Sequence, residues 1–302
     1  MTFYTLNAQS EKTMKDLLQP YHFKTKTVQL EDGELAYVKE GKGKKVLIFV
    51  HGLSSNADAW YRNIEQLREH FTCYAIDLPG YGRSYKKAEN FTASYFAETI
   101  NEFTKKLKIK EFTLVGHSMG GQASIKYAAT FPEKLKGLIL VAPAGIEEFT
   151  PMEGMMMNAV MTRDGVMKTS EEQIDKNYQM NFFKMPVEAS RMVQDRKKIV
   201  EASDFADHAD AIVKSVSGML DDKVIDDFPK VKVPTLFIFG RNDLLIPNKY
   251  LHPQMTIEDV AKKGNDAVAG SKVWFVEEAG HFLNFEKPEE VNAAICSFMK
   301  DI

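Results

Sequence analysis

The stretch that most constrains this chain is Leu114-Val115-Gly116-His117-Ser118-Met119-Gly120-Gly121. An apolar run, Phe112 to Val115, enters it, and a small-residue helical pattern, Gln122 to Thr130, leaves it. A serine inside Gly-x-Ser-x-Gly in that setting sits on a sharp strand-to-helix turn with its Oγ raised above the edge of a sheet. The turn strains the backbone at Ser118, and glycine at 116 and 120 removes the side chains that would collide there. Ser118 therefore reads as a nucleophile on a nucleophile elbow, and the rest of the chain as what activates it and shapes its substrate.

The surrounding pattern supplies the sheet. Lys26 to Leu30 and Leu35 to Lys39 flank a hairpin signal. Val46 to Val50, Phe112 to Val115, Gly137 to Ala142 and Thr235 to Phe239 are short apolar runs of the kind buried on both faces of a parallel sheet, and Phe71 to Ile76 and Lys272 to Val276 read as two further strands. Helical patterns alternate with them, among them 57–69, 92–107 and 288–299, so the fold class is α/β, with a mostly parallel eight-stranded sheet and helices on both faces. A polar helix is expected over 257–263, followed by a flexible segment from Gly264 to Gly270. Residues 1–20 read as a short polar helix around Met14, Leu17 and Leu18, docked or loose.

The rhythm breaks after Ala144. Residues 144–229 hold helical patterns and no buried strand, so they read as an insertion in a core made of residues 1–143 and 230–302. The insertion carries 17 acidic against 10 basic residues, and ten of the fifteen methionines. Its acidic balance reads as a solvated face and disfavours a strongly anionic substrate. The methionines fit either filler for short helices or the wall of an adaptable acyl pocket. Met155, Met156 and Met157 are candidates for substrate contact, and three consecutive residues cannot all share one face of a helix.

Composition excludes other classes. The net charge is −3 with 27% charged residues, and no basic patch points to nucleic acid. No apolar run approaches the ~20 residues that span a bilayer, so no stable membrane insertion is expected. Cys73 and Cys296 lie in apolar periodic segments and read as free thiols, which fits the cytoplasm. Export is the alternative, if residues 1–10 are the remnant of a trimmed signal peptide. Oligomeric state is not legible.

A serine hydroxyl needs a general base, and the base needs a third group to fix its tautomer. In sheets with this elbow, the order along the chain is serine, acid, histidine. Asp243 follows one late buried strand and His281 follows the last, so His281 reads as the base and Asp243 as its orienter. The backbone N–H groups of Met119, after the nucleophile, and of Leu53, in the loop after Val50, are the expected oxyanion hole. His51, Asp77 and Arg83 read as residues that brace loops, and His117 as one that packs beside the elbow.

These residues resemble the α/β-hydrolase fold superfamily in its capped serine-hydrolase branch. The likeness rests on His51-Gly52, Asp77-Leu78-Pro79-Gly80-Tyr81-Gly82-Arg83-Ser84, Gly116 to Gly121, Gly240-Arg241-Asn242-Asp243 and Gly280-His281, in the family order over residues ~26–300. The resemblance implies a serine hydrolase without metal or organic cofactor, with a helical cap domain after the sixth strand, the place of residues 144–229. Gly-His-Ser-Met-Gly-Gly is common in carboxylesterases and monoacylglycerol-type lipases, which implies a small-molecule ester cleaved through an acyl-enzyme. Ser118 argues against dehalogenases and epoxide hydrolases, whose nucleophile is aspartate. Carbon–carbon bond hydrolases often carry asparagine before the serine and tryptophan after the last histidine, where this chain has His117 and Phe282. That reaction, a thioesterase, an aminopeptidase and a slow-turnover ligand-binding receptor stay open as alternatives.

Overall fold

The computed structural model of the chain describes residues 11–302. The possible signal-peptide remnant at residues 1–10 lies outside the described residues. Eight strands form one sheet: β1 (Thr25–Gln29), β2 (Glu34–Glu40), β3 (Val46–Val50), β4 (Thr72–Ile76), β5 (Phe112–His117), β6 (Leu135–Val141), β7 (Thr235–Gly240) and β8 (Lys272–Val276). Their order across the sheet is β1-β2-β4-β3-β5-β6-β7-β8. β1 and β2 pair antiparallel, as do β2 and β4, and the remaining pairs are parallel.

The apolar runs behave as continuous runs must when a strand is covered on both sides. Ile48, Leu114, Leu138 and Phe237 point into one core layer, while their neighbours Phe49, Val115, Ile139 and Ile238 point into the other. Helices Ala93–Lys106, Met119–Thr130 and Ile257–Ala267 contribute to the first layer, and Tyr61–Leu67 and Pro288–Lys300 to the second. Helix Ala93–Lys106 starts where Thr92 Oγ1 accepts a hydrogen bond from the Tyr95 N–H, and it buries Phe96, Ile100 and Phe103 at helical spacing.

The segment expected to be flexible is ordered. Helix Ile257–Ala267 runs straight through Gly264. A side chain there would lie 2.9 Å from Ile146 and 3.1 Å from the Phe237 ring, so glycine lets the helix settle against β7. The chain then turns into β8 through Gly270, at φ +73°.

Between β6 and β7 the chain forms helices Pro151–Val160, Arg163–Met167, Glu171–Gln179, Ser190–Lys198 and Phe205–Asp221, joined by short 3-10 turns. Thr150, Thr162 and Ser170 accept hydrogen bonds at three of the helix starts. Helix Phe205–Asp221 ties the inserted helices to the core. His208 Nδ1 lies 2.7 Å from the Gly80 carbonyl, Tyr81 donates to Ser215 Oγ at 2.7 Å, and the carboxylate of Asp222 accepts from the Ser94 N–H at 2.6 Å. The short helix Met14–Leu17 docks rather than hanging loose. Met14 is buried, its N–H donates to Asp204, and the Arg83 guanidinium donates to the carbonyls of Lys15, Leu18 and Gln19. Among the described residues, no helix is long and apolar enough to cross a membrane. Cys73 and Cys296 are both free thiols.

Phe237 is fully buried between Phe228, Phe239 and the Gly264 face. Phe237→Ala should lower unfolding stability by about 3–5 kcal/mol, the usual cost of emptying an aromatic core site. Urea denaturation read by circular dichroism measures it, and a loss under ~1 kcal/mol would contradict this packing.

Candidate active site

β5 ends at His117 and helix Met119–Thr130 begins one residue later, so Ser118 alone makes the turn. Its backbone sits at φ 52°, ψ −119°, a conformation costly for a residue with a side chain. Two close approaches hold it there. A side chain at Gly116 would lie 2.4 Å from the Gly120 carbonyl, and one at Gly120 would lie 2.5 Å from the carbonyls of Val50 and His51. The Ser118 N–H donates to Val141 on the neighbouring strand at 3.0 Å.

The loops after β7 and β8 deliver the partners. His281 Nε2 lies 2.9 Å from Ser118 Oγ, and His281 Nδ1 lies 2.8 Å from Asp243 Oδ2. The other oxygen of Asp243 accepts from the N–H groups of Leu245 and Ile246 at 2.7 and 3.0 Å. An ionised carboxylate only accepts, so it makes Nδ1 the protonated nitrogen and leaves the Nε2 lone pair facing the serine O–H. Asp243 and His281 are buried, which keeps water from competing for these bonds.

Met119 is the first residue of its helix, where backbone N–H groups have no intrahelical acceptor. Across from it runs the loop Gly52–Asn56. A side chain at Gly52 would stand 2.8 Å from His117 Nδ1 and 3.1 Å from Ser118 Cβ, so this loop presses directly on the elbow. Leu53 follows at the wall of a cavity of about 840 Å³ that also contains Ser118 and His281. Met157, Met161, Met192 and Met219 line that cavity, whereas Met155 and Met156 face outward at 63% and 55% exposure and are absent from its wall. Among the described residues, no three His, Cys, Asp or Glu side chains gather as metal ligands would.

Three buried histidines brace the site. The Leu78 N–H donates to His51 Nε2, so the opposite nitrogen, Nδ1, carries the proton and donates to the Gly52 carbonyl at 2.7 Å. His117 lies under the loop that carries His281. Its Nε2 is 3.0 Å from the His281 carbonyl and its ring stacks on Phe282. A carbonyl can only accept, so His117 Nε2 is the donor. Burial pushes His51 down to about 4 and His208 to about 3, and holds His117 well below the usual imidazole range. The buried carboxylate of Asp77 accepts from Tyr21 Oη and the N–H groups of Ala57 and Arg83. The bracing roles of Asp77 and Arg83 were readable in the sequence, and that of His51 from the fold the chain resembles. The anchors His208 and Ser215 were not, because nothing sets them apart from the other polar residues of an ordinary amphipathic helix.

The sequence matches the alpha/beta hydrolase fold family over residues 45–288. The chain belongs to this family. It is 23% identical over 261 residues, 86% of its length, to the dihydrolipoyllysine-residue acetyltransferase component of the acetoin cleaving system of Cupriavidus necator, and it spans 64% of that relative's length. It is 24% identical to the monoacylglycerol lipase ABHD6 of Homo sapiens, covering 91% of this chain and 82% of that one. Among solved structures, a probable hydrolytic enzyme from Pseudomonas aeruginosa PAO1 superposes with a TM-score of 0.84 at 18% identity, over 96% of this chain and 98% of the other.

The buried histidines make stability fall on mild acidification. Their folded pKa values lie below the ordinary 6.5, so the unfolded chain takes up protons that the folded chain refuses. The stability they contribute is complete above about pH 6.5 and is lost as pH falls toward their folded values. Each such group contributes ~1.4 kcal/mol per pH unit across that window. Urea midpoints should drop steadily from pH 7 to 5, and a flat profile there would contradict neutral burial of these rings.

Proposed function

We propose that this chain is a serine hydrolase that cleaves a carboxylic ester of a small or acyl-chain substrate through an acyl-enzyme. The observation that carries the reading is the hydrogen-bonded series Ser118 Oγ–His281 Nε2 and His281 Nδ1–Asp243 Oδ2, placed in a cavity with room for a substrate. His281 takes the hydroxyl proton as Ser118 Oγ attacks the ester carbonyl. The N–H groups of Met119 and Leu53 hold the oxyanion as it forms. His281 passes the proton to the leaving alcohol, then draws a proton from water so that hydroxide attacks the acyl-enzyme. The acid leaves and Ser118 regains its proton. Asp243 keeps the ring in the tautomer that both halves require.

The family supports hydrolysis, and the relatives named as lipases support an ester as the bond. The cavity wall supports a ligand of acyl character, since Met161, Ile212, Val216 and Met219 all face it. No cofactor enters any step. Two free cysteines suit a cytoplasmic protein.

Ser118→Ala should lower kcat on 4-nitrophenyl butyrate by on the order of 10⁶, and Asp243→Asn by about 10⁴, because the latter mainly disturbs the tautomer. Steady-state kinetics with a fluorophosphonate label on the wild type measures both. A Ser118→Ala protein that keeps most of its turnover would end this reading.

A further inference from the structure

The charged groups at the cavity wall differ in whether their charge is met. Glu147 accepts from the Asn248 N–H at 2.9 and 3.0 Å and faces His252 Nδ1 at 2.6 Å. Asp195 accepts from the main-chain and side-chain N–H groups of Gln19, each at 3.1 Å. Asp58 takes the main-chain N–H of His22 at 2.8 Å and its ring nitrogen at 2.9 Å. Each acid has donors.

Arg196 has no acid. It lies on helix Ser190–Lys198, lines the same cavity as Ser118, and is only 9% exposed. Nη2 donates to the Val166 carbonyl at 3.2 Å, and the guanidinium sits 5.1 Å from the centre of the Phe205 ring. Nη1 is buried without a hydrogen-bond partner. Among the described residues Arg196 makes no ion pair with Asp or Glu, and residues 1–10 contain neither residue type. Burial weighs against its charge, yet a guanidinium stays protonated in proteins. A buried cation without an anion is costly, and none of the wall's carboxylates lies within ion-pair distance of Arg196.

We propose that Arg196 is the counter-ion for a carboxylate carried by the substrate's acyl chain, so that the preferred esters are half-esters of short dicarboxylic acids. The acyl part stays bound to Ser118 through both half-reactions while the alcohol departs, so a counter-ion buried in the wall acts for longest on the acyl part. The acidic surplus of the inserted helices does not oppose this. Its acids include exposed ones already paired with lysines, such as Glu172–Lys176 and Asp164–Lys168, which water and salt screen, whereas a charge buried at the cavity wall is screened much less. The proposal rests on ester hydrolysis at Ser118, and its test is chosen to fail separately from that reading.

The test compares the 4-nitrophenyl hydrogen ester of glutaric acid with 4-nitrophenyl pentanoate, a neutral chain of matching length. The wild-type chain should favour the anionic ester by about tenfold or more in kcat/KM, and a preference for the pentanoate would overturn the proposal. Arg196→Met should reduce the ratio of the two kcat/KM values by about tenfold to a hundredfold, with Arg196→Lys between it and the wild type. An equal loss on both esters would mean that Arg196 only packs Val166 and Phe205, and would overturn the proposal. If Arg196→Met fails to melt cooperatively, the Arg196→Lys ratio and the wild-type preference decide. Calorimetry of monomethyl glutarate binding to Ser118→Ala, with and without Arg196→Met, separates the two readings. Binding weakened about tenfold or more by Arg196→Met, with no turnover of either ester, refutes ester hydrolysis and upholds the anion site. Turnover whose anionic-to-neutral ratio and whose anion affinity both ignore Arg196 refutes the anion site and upholds ester hydrolysis.

Discussion

The approach of one helix to one strand governs the rest of this molecule. The first turn of helix Met119–Thr130 lies so close to the end of β3 that only glycine fits at position 120, against the carbonyls of Val50 and His51. That closeness leaves no residue of slack between β5 and the helix, so Ser118 has to adopt a positive φ and its side chain has to stand up from the sheet. It also brings the loop after β3 onto the elbow, where the backbone at Gly52 touches both His117 and Ser118. Ser118, the loop and the helix terminus thus share one packing contact. Loosening it would move all three together.

Around this contact the chain uses imidazole in two ways. His51, His117 and His208 are sealed from water and kept neutral, and each serves as a donor or acceptor of fixed direction. His281 is buried as well, but its two nitrogens face a hydroxyl and a carboxylate, partners between which a proton can be passed. The neutral rings hold the frame in which the fourth is placed. His117 shows the link most directly, because it carries the main-chain carbonyl of His281 itself.

Much of this frame was legible in the sequence. The buried runs identified the inner parallel strands because a strand covered on both faces cannot alternate with polar residues, whereas β8, at the edge of the sheet, leaves Lys272 and Trp274 exposed. Glycine on both sides of Ser118 identified the turn because few other sequences tolerate it. Asp243 and His281 were found by chain order, and the structure brings both to Ser118. What escaped the sequence was long-range. Gly264 resembled the start of a flexible linker, since nothing local shows that Ile146 and Phe237 press on it. Met155, Met156 and Met157 were equivalent as letters, and only the packing of their helix sends Met157 to the cavity and the other two outward. The missing partner of Arg196 was likewise invisible, because an absence of neighbours has no sequence signature.

The inserted helices are held unevenly. Phe205–Asp221 is anchored to the core by His208, Ser215 and Asp222, whereas Pro151–Val160 buries none of its own residues while Met157 and Val160 still line the cavity. Substitutions in that first helix therefore cost the fold little, yet they alter the shape and polarity of the space above Ser118. The hydrogen bonds at Ser118 and this outer part of the wall are held by different contacts. A lineage built on this frame can reshape the space above Ser118 by drift in a few outer residues while the hydrogen bonds among Ser118, His281 and Asp243 stay as they are.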